Sequence, residues 1–101
     1  MKLDSNGYAP SIMGNDEDEC FICGISGVDL VRHEAIYGTA NRRNSKKWGL
    51  WVTICTNCHK AIHEMPECKY VDLALKQTAQ KCFIDRYGRE KFREVFGRYY
   101  D

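Results

Sequence analysis

Cys55-Thr56-Asn57-Cys58-His59-Lys60-Ala61-Ile62-His63 brings two kinds of metal-binding side chain into one short stretch. Cys55 and Cys58 have the spacing at which a tight turn points two thiolates at one metal ion. His59 and His63 are four residues apart, so a helix that begins directly after Cys58 would carry both imidazoles on one face, one turn apart. The stretch therefore predicts a metal-binding turn that fixes the start of a histidine-bearing helix.

A second pair of cysteines upstream would complete a tetrahedral site. Cys20 and Cys23 have the same C-x-x-C spacing, so the two pairs together predict a four-thiolate zinc site. Such a site has no open position for a substrate and is typically structural. A disulfide or a redox-active pair is the alternative. Cys68 and Cys82 lack this spacing, and we expect them to be buried or free thiols that behave as small apolar groups.

Length and composition favour one small globular domain. The chain has 101 residues and 11.7 kDa, of which 44% are hydrophobic and 12% aromatic, and this composition argues against disorder. Domains of this size often rely on a metal ion or disulfides. The net charge of +1 indicates no partner. The sequence shows no secretory signal or membrane-spanning stretch, so we expect a reducing, cytoplasmic location and no membrane partner.

Residue patterns divide the chain into three regions. Residues 1–19 contain an acidic run and predict a flexible N-terminal arm, in which Ile12 and Met13 have the apolar character to dock on the core. We expect residues 20–66 to form a zinc-stapled core and residues 67–101 to form a helical C-terminal cap. The whole would be an α+β fold.

Secondary structure follows from composition and periodicity. Residues 28–37 and 48–54 have the branched and aromatic character of strands, with a polar, basic loop or short helical turn between them at 38–49. The histidine helix should end by residue 65, before a proline. Apolar residues at i, i+3 and i+4 spacing predict helices over 70–87 and 89–98.

The three histidines of the chain should come together. His33 and Glu34 interrupt an otherwise apolar strand, and His59 and His63 begin the helix that follows the second strand. A single histidine in a strand is often a hydrogen-bonded core residue. The convergence of all three on one helix instead favours a functional site.

The order of these motifs resembles that of the HNH (His-Me finger, ββα-metal) endonucleases, and more narrowly that of small HNH-like proteins of bacteriophages. The matching residues are Cys20/Cys23, His33-Glu34, Gly38-Thr39-Ala40-Asn41-Arg42 and Cys55/Cys58-His59…His63. They cover residues 20–63, about half of the chain, with a weaker match at 91–98. The resemblance implies a zinc-stabilised ββα-metal core and a metal-dependent endonuclease that hydrolyses DNA phosphodiester bonds with low sequence specificity.

The resemblance also implies roles for individual residues. His59 and His63 occupy the helix positions that bind a catalytic divalent metal, Mg2+ or another ion, in addition to the structural Zn2+. His33 and Glu34 occupy the strand dyad, whose second member is usually the general-base histidine. Either His33 is the base from a shifted register, or His33 binds the metal and Glu34 takes the proton. A glutamate is a weak base at neutral pH unless burial raises its pKa.

An asparagine normally supports the base or the metal in this family. Leu50 stands where many relatives place it, just before the second cysteine pair. Asn44 is one replacement available from the preceding loop. We expect Asn41 to fill the role, because it lies in the matching Gly-Thr-Ala-Asn-Arg string.

A basic run without acidic residues lies between the two halves of the expected site. Its members, together with a lysine on the histidine helix, could hold DNA phosphates without reading sequence: Arg42, Arg43, Lys46, Lys47 and Lys60. An ordinary solvated loop is the alternative for the run.

Two other functions fit the same motifs. The protein could be a non-catalytic module that keeps the zinc scaffold and binds nucleic acid or a protein. It could also be a zinc-stabilised subunit whose C-terminal helices dock in a larger phage or bacterial complex. The aromatic tail (Phe92, Phe96, Tyr99 and Tyr100) could pack on its own core or form a homodimer.

Overall fold

The structure is a computed structural model and describes residues 2–101. Two strands and four helices follow one another along the described chain: β1 (Leu30–Glu34), α1 (Asn41–Trp48), β2 (Trp51–Cys55), α2 (Thr56–Glu64), a 3₁₀ turn (Pro66–Cys68), α3 (Lys69–Tyr87) and α4 (Arg89–Phe96). The strands form one antiparallel sheet in which Leu30 lies opposite Cys55 and His33 lies opposite Val52. The fold is therefore small and α+β, as predicted.

The polar segment between the strands, for which the sequence predicted a loop or a short helical turn, forms the eight-residue helix α1. Ser45 is fully buried in α1, and its hydroxyl accepts from the Ile36 N–H at 3.2 Å and donates to the Ile36 carbonyl. Gly49 ends the helix in the left-handed conformation, with φ of 75°, which a residue without a Cβ adopts at little cost. The second strand consequently begins at Trp51, three residues later than predicted.

The core forms where the helices cover β2. All five residues of β2 are buried, and a two-stranded sheet needs such a cover to be stable. Helices α3 and α4 supply aromatic side chains to the cover, with the Phe83 and Phe92 rings 5.5 Å apart. The core side chains that lose all solvent contact include Ile36, Leu50, Val52, Ile54, Phe83 and Phe92. The part of the chain that the structure describes holds no helix long and apolar enough to cross a membrane.

The N-terminal segment (residues 1–19) makes more contacts with the core than its polar composition indicated. The Trp51 indole N–H donates to the Ala9 carbonyl at 2.7 Å, and the Ile12 N–H donates to the Gly49 carbonyl at 2.9 Å. Met13 is buried in the core cluster. The described part of the segment thus lies along α1 and β2, while the flexibility predicted for it stays a prediction.

Candidate functional site

Four thiols meet where β2 passes into α2. The Sγ atoms of Cys20, Cys23, Cys55 and Cys58 all lie within 4.8 Å of one another, and those of Cys23 and Cys55 are 3.9 Å apart. All four are free cysteines. Four thiolates at these separations are the donor set of a structural zinc site. The cluster could therefore hold a metal ion such as zinc, as the two C-x-x-C pairs predicted.

Backbone N–H groups point at the sulfur atoms. Cys23 N donates to Cys20 Sγ and Cys58 N donates to Cys55 Sγ, each at 3.4 Å. Burial raises the pKa of Cys20, but the N–H donors outweigh it and lower that pKa to about 6. Burial raises the pKa of Cys58, and the neighbouring thiols raise it further. Since zinc binds thiolates, the N–H donors favour the form that the metal needs.

The position of Cys55 links the thiol cluster to the histidines. Cys55 is the last residue of β2 and the N-cap of α2, where its sulfur accepts the Cys58 N–H. A metal ion held by this sulfur would fix the direction in which α2 leaves the sheet. Helix α2 carries His59 and His63 one turn apart, so that direction decides whether they face His33 on β1.

The three imidazoles do come together. His33, His59 and His63 each place a ring nitrogen within 4.8 Å of the other two, and the His59 and His63 ring centroids are 4.7 Å apart. His33 is 3% exposed. Its Nε2 is buried without a hydrogen-bond partner among the described residues, a situation that costs about 1–3 kcal/mol for a typical polar atom. A metal ion between the rings would give that nitrogen a partner.

The charge state of the cluster also suits a metal ion. Burial is the largest cause that lowers the pKa of His33, to about 4, and His63 and His59 lower it further. Burial and then His63 lower the pKa of His59 as well. Both rings are therefore neutral at pH 7, which is the form in which imidazole binds metal. Three imidazoles with space beside them make an open metal site.

A cleft of about 490 Å³ opens beside the histidines. Glu34 follows His33 on β1 and lines the cleft, and its carboxylate lies 3.9 Å from the Arg42 guanidinium. The Glu34 side chain is 14% exposed, whereas that of Arg42 is 64% exposed, so the guanidinium can move toward a bound anion. The cleft is lined by Tyr8, Arg32, His33, Glu34, Tyr37, Arg42, His59 and His63.

A polar layer that includes residues of α3 lies behind the histidines, and none of the sequence motifs predicted it. The Asp72 carboxylate accepts from the Tyr37 hydroxyl at 2.8 Å and from Lys76 Nζ at 2.6 Å on the same oxygen. The Tyr37 ring packs edge-on against His33 and His63, at centroid distances of 5.9 and 5.4 Å. One sequence signal pointed to this layer, since Asp72 stands three residues before the buried Leu75, on the apolar face of the predicted helix.

Tyr8 was also missed, because it lies in the segment predicted to be a flexible arm. Its ring lines the cleft, and Arg32 and Lys46 place their charged groups 4.6 and 4.7 Å from its centroid. Burial raises the pKa of the Tyr8 hydroxyl, and the Glu34 carboxylate raises it further. The one signal in the sequence is that Tyr8 is the only aromatic side chain among residues 1–19.

The remaining predicted residues are distributed unevenly around the cleft. Arg42, Arg43, Lys46 and Lys47 lie on α1, where only Arg42 reaches the cleft, and Lys60 is exposed on α2. Asn41 points elsewhere: its side-chain amide donates to the Phe96 carbonyl at 3.3 Å, and it is absent from the residues that line the cleft. The structure thus groups His33, Glu34, His59 and His63 and leaves Asn41 outside.

Comparisons of the chain with protein-family models, with curated proteins and with solved structures give no match, so the resemblance to the HNH endonucleases rests on the order of the motifs alone.

Proposed function

We propose that the protein is a metal-dependent DNA endonuclease of the HNH type, which hydrolyses phosphodiester bonds with low sequence specificity. The observation that carries the proposal is the placement of three imidazoles, one carboxylate and one arginine in a single cleft. The order of elements supports it: two antiparallel strands are followed directly by a helix, with one histidine on the first strand and two on the helix. This order, with α1 between the two strands, supports the proposal of a ββα-metal core.

Two metal ions with different tasks fit the chain. Zn2+ at the four cysteines would stabilise the fold. At the histidines, an ion that prefers imidazole, such as Zn2+ or Ni2+, fits the donors better than Mg2+, which prefers oxygen. When bound, such an ion supplies positive charge that polarises the phosphate and stabilises the leaving oxygen. His33, His59 and His63 would hold it.

The burial of His33 favours one of the two assignments that the sequence left open. His33 is enclosed by the other two imidazoles and by Tyr37, so it suits a metal ligand better than a base that must reach a water molecule. Glu34 lines the open cleft and would accept the proton of the attacking water. Arg42 would leave Glu34 and bind a non-bridging phosphate oxygen, which orients the phosphorus toward that water.

Nicking of supercoiled plasmid tests the proposal, with Mg2+, Mn2+, Ni2+ or Zn2+ added to the zinc-loaded protein. We expect metal-dependent nicking that Glu34→Gln abolishes while leaving metal binding at the histidines intact. His33→Ala should abolish both nicking and that binding. Because Glu34→Gln is purified in the same way as the wild type, its inactivity also excludes a contaminating nuclease.

Other outcomes would redirect the assignment. If Glu34→Gln still nicks, and His33→Ala binds metal normally but fails to nick, His33 is the base. A folded, zinc-loaded protein that nicks with none of the ions would overturn the nuclease proposal and favour the non-catalytic module.

A further inference from the structure

We propose that a groove between the N-terminal segment and α1 binds the phosphate backbone of one strand of a DNA duplex and leads it to the histidine cleft. The proposal rests on the proposed function, because the same duplex would be the substrate. It goes further by assigning a binding role to Leu3, Asn6 and Gly7 and by stating which form of nucleic acid the groove takes.

The groove has one charged wall and one neutral wall. Its volume is about 640 Å³. Four cations from α1 line one side, and Leu3, Asn6 and Gly7 line the other, with Thr39 near the start of α1. None of these lining residues is acidic. The four cations are Arg42, Arg43, Lys46 and Lys47.

The charged wall lacks counter-charges of its own. Arg42 is the only one of its four cations with a carboxylate within 4.0 Å among the described residues, and that contact is long, at 3.9 Å. Four like charges on two turns of one helix repel one another, and a polyanion removes the repulsion. The groove is therefore complementary to a row of phosphates.

Two residues connect the groove to the candidate active site. Arg42 lines both the groove and the histidine cleft. Lys46 lines the groove, and its ammonium group lies 4.7 Å from the ring centroid of Tyr8, which lines the cleft. A DNA strand that lies along α1 would thus reach Glu34 and the imidazoles without crossing an uncharged surface.

The neutral wall is anchored to the core. Asp4 Oδ1 accepts the N–H groups of Asn6 and Tyr8, each at 2.9 Å, and Asp4 Oδ2 accepts from Arg32 at 2.8 Å. The Arg32 guanidinium lies 4.6 Å from the Tyr8 ring centroid and 4.5 Å from that of Trp51. These contacts hold the turn at residues 4–8 beside α1, so the groove has two sides.

The lining of the groove favours a duplex over a single strand. Proteins that bind single strands stack the bases on aromatic side chains, and the residues that line this groove include no aromatic ring. Cations without an aromatic platform contact phosphates and leave the bases to pair with their own complement. We therefore expect binding that depends on salt and not on sequence.

Binding to fluorescent DNA, without added divalent ions, tests the groove separately from catalysis. We expect the wild type to bind duplex more tightly than a single strand of the same sequence. A plot of log K against log salt should have a slope of about −3.6 if all four cations contact phosphates, and Arg43→Ala or Lys47→Ala should each reduce its magnitude by about 0.9. Asn6→Asp, which adds only a charge to the neutral wall, should weaken binding roughly tenfold.

A matched control removes a cation elsewhere. Lys81 is 77% exposed on α3, and Lys81→Ala should bind duplex like the wild type. Wild-type affinity in both Arg43→Ala and Asn6→Asp would overturn the groove, as would a preference for single strands or for polyglutamate over duplex. If the groove variants behave as expected and no nicking occurs, the groove stands and the nuclease fails. If the groove variants nick plasmid as the wild type does, the nuclease proposal stands and the groove proposal fails.

Discussion

The Tyr37 hydroxyl donates a hydrogen bond to Asp72 Oδ2 across 2.8 Å, and this contact ties the histidine cleft to α3. Lys76 donates to the same oxygen at 2.6 Å and places its ammonium group 4.3 Å from the Tyr37 ring centroid. Tyr37 is therefore fixed at its hydroxyl and over one face, while its edge packs against His33 and His63. The C-terminal helices thus support the candidate metal site in addition to covering the core.

Removing Asp72 should destabilise the fold, because it leaves the Lys76 ammonium group without its partner. Both side chains are mostly buried, at 13% and 17% exposure, and breaking such a pair costs about 3 kcal/mol. Urea unfolding of Asp72→Ala measures the loss. Asp85→Ala is the control, since Asp85 pairs with Lys81 at the surface and should cost less than about 1 kcal/mol. Equal losses in the two variants would show that the buried pair adds no stability.

Stability should fall as the pH drops from about 6.5 to about 4, because the pKa of His33 in the folded protein is lowered to about 4. The unfolded chain takes up the proton near pH 6.5 and the folded chain only near pH 4, so this stabilisation is complete above pH 6.5 and is lost progressively between pH 6.5 and 4. The full effect is about 3 kcal/mol. Urea unfolding at several pH values should show it in the wild type.

His33→Leu provides the comparison for this pH dependence. Loss of zinc from the cysteines in acid is common to both proteins, so the two are compared at those pH values between 6.5 and 4 at which both remain folded. Only the wild type carries the buried imidazole, and its curve should be steeper between pH 6.5 and 4. Parallel curves would mean that His33 is protonated in the folded protein without penalty.

Gly49→Ala should be more damaging than other glycine substitutions with the same backbone conformation. A Cβ at this position would lie 2.3 Å from the Pro10 carbonyl oxygen, and φ is 75°. We expect a loss of about 2–3 kcal/mol. Gly97→Ala is the matched control, because φ is 85° and no atom lies within 4 Å of its Cβ, and it should lose about 1 kcal/mol. If thermal unfolding gives equal losses, the N-terminal segment moves aside at no cost.

The two kinds of candidate metal ligand should respond differently to substitution. Cys58→Ser removes one of four thiolates and should unfold the domain and release its zinc, since metal binding and folding are coupled in domains this small. His59→Ala removes an imidazole at the edge of the open cleft and should keep both the fold and the zinc while abolishing nicking. Circular dichroism and zinc analysis distinguish them. Loss of the fold in both variants would make His59 structural.

Local spacing was enough to predict the thiol cluster and the long helix α3. The C-x-x-C pairs constrain their own turns, and the apolar periodicity over residues 70–87 continues for five turns, so neither depends on distant contacts. The convergence of the histidines could also be predicted from local spacing, because Cys55 and Cys58 lie at the start of the helix that carries two of them. The α+β class and the four-cysteine cluster are confirmed on this basis.

Features that depend on tertiary contacts could not be read from the sequence. Helix α1 is polar apart from its last residue, Trp48, and the hydrogen bonds of Ser45 to Ile36 that hold it are invisible to periodicity. The docking of residues 8–15 depends on hydrogen bonds to Lys46, Gly49, Trp51 and Thr53 and on the burial of Met13. Asn41 was chosen from its place in a matching string, whereas its orientation depends on the α4 carbonyl that it contacts.

Because Cys55 lies where β2 meets α2, zinc binding at the thiol cluster would precede metal binding at the histidines. Cys23 and Cys55 are 32 positions apart, so zinc at the cluster would close a long loop and limit the freedom of the unfolded chain. The strand that bears His33 lies inside this loop, and the helix that bears the other imidazoles begins at its edge. Zinc would therefore have to arrive before the second metal ion finds its ligands. Under the proposed function, scarcity of zinc would then abolish nicking without any change in the histidine cleft itself.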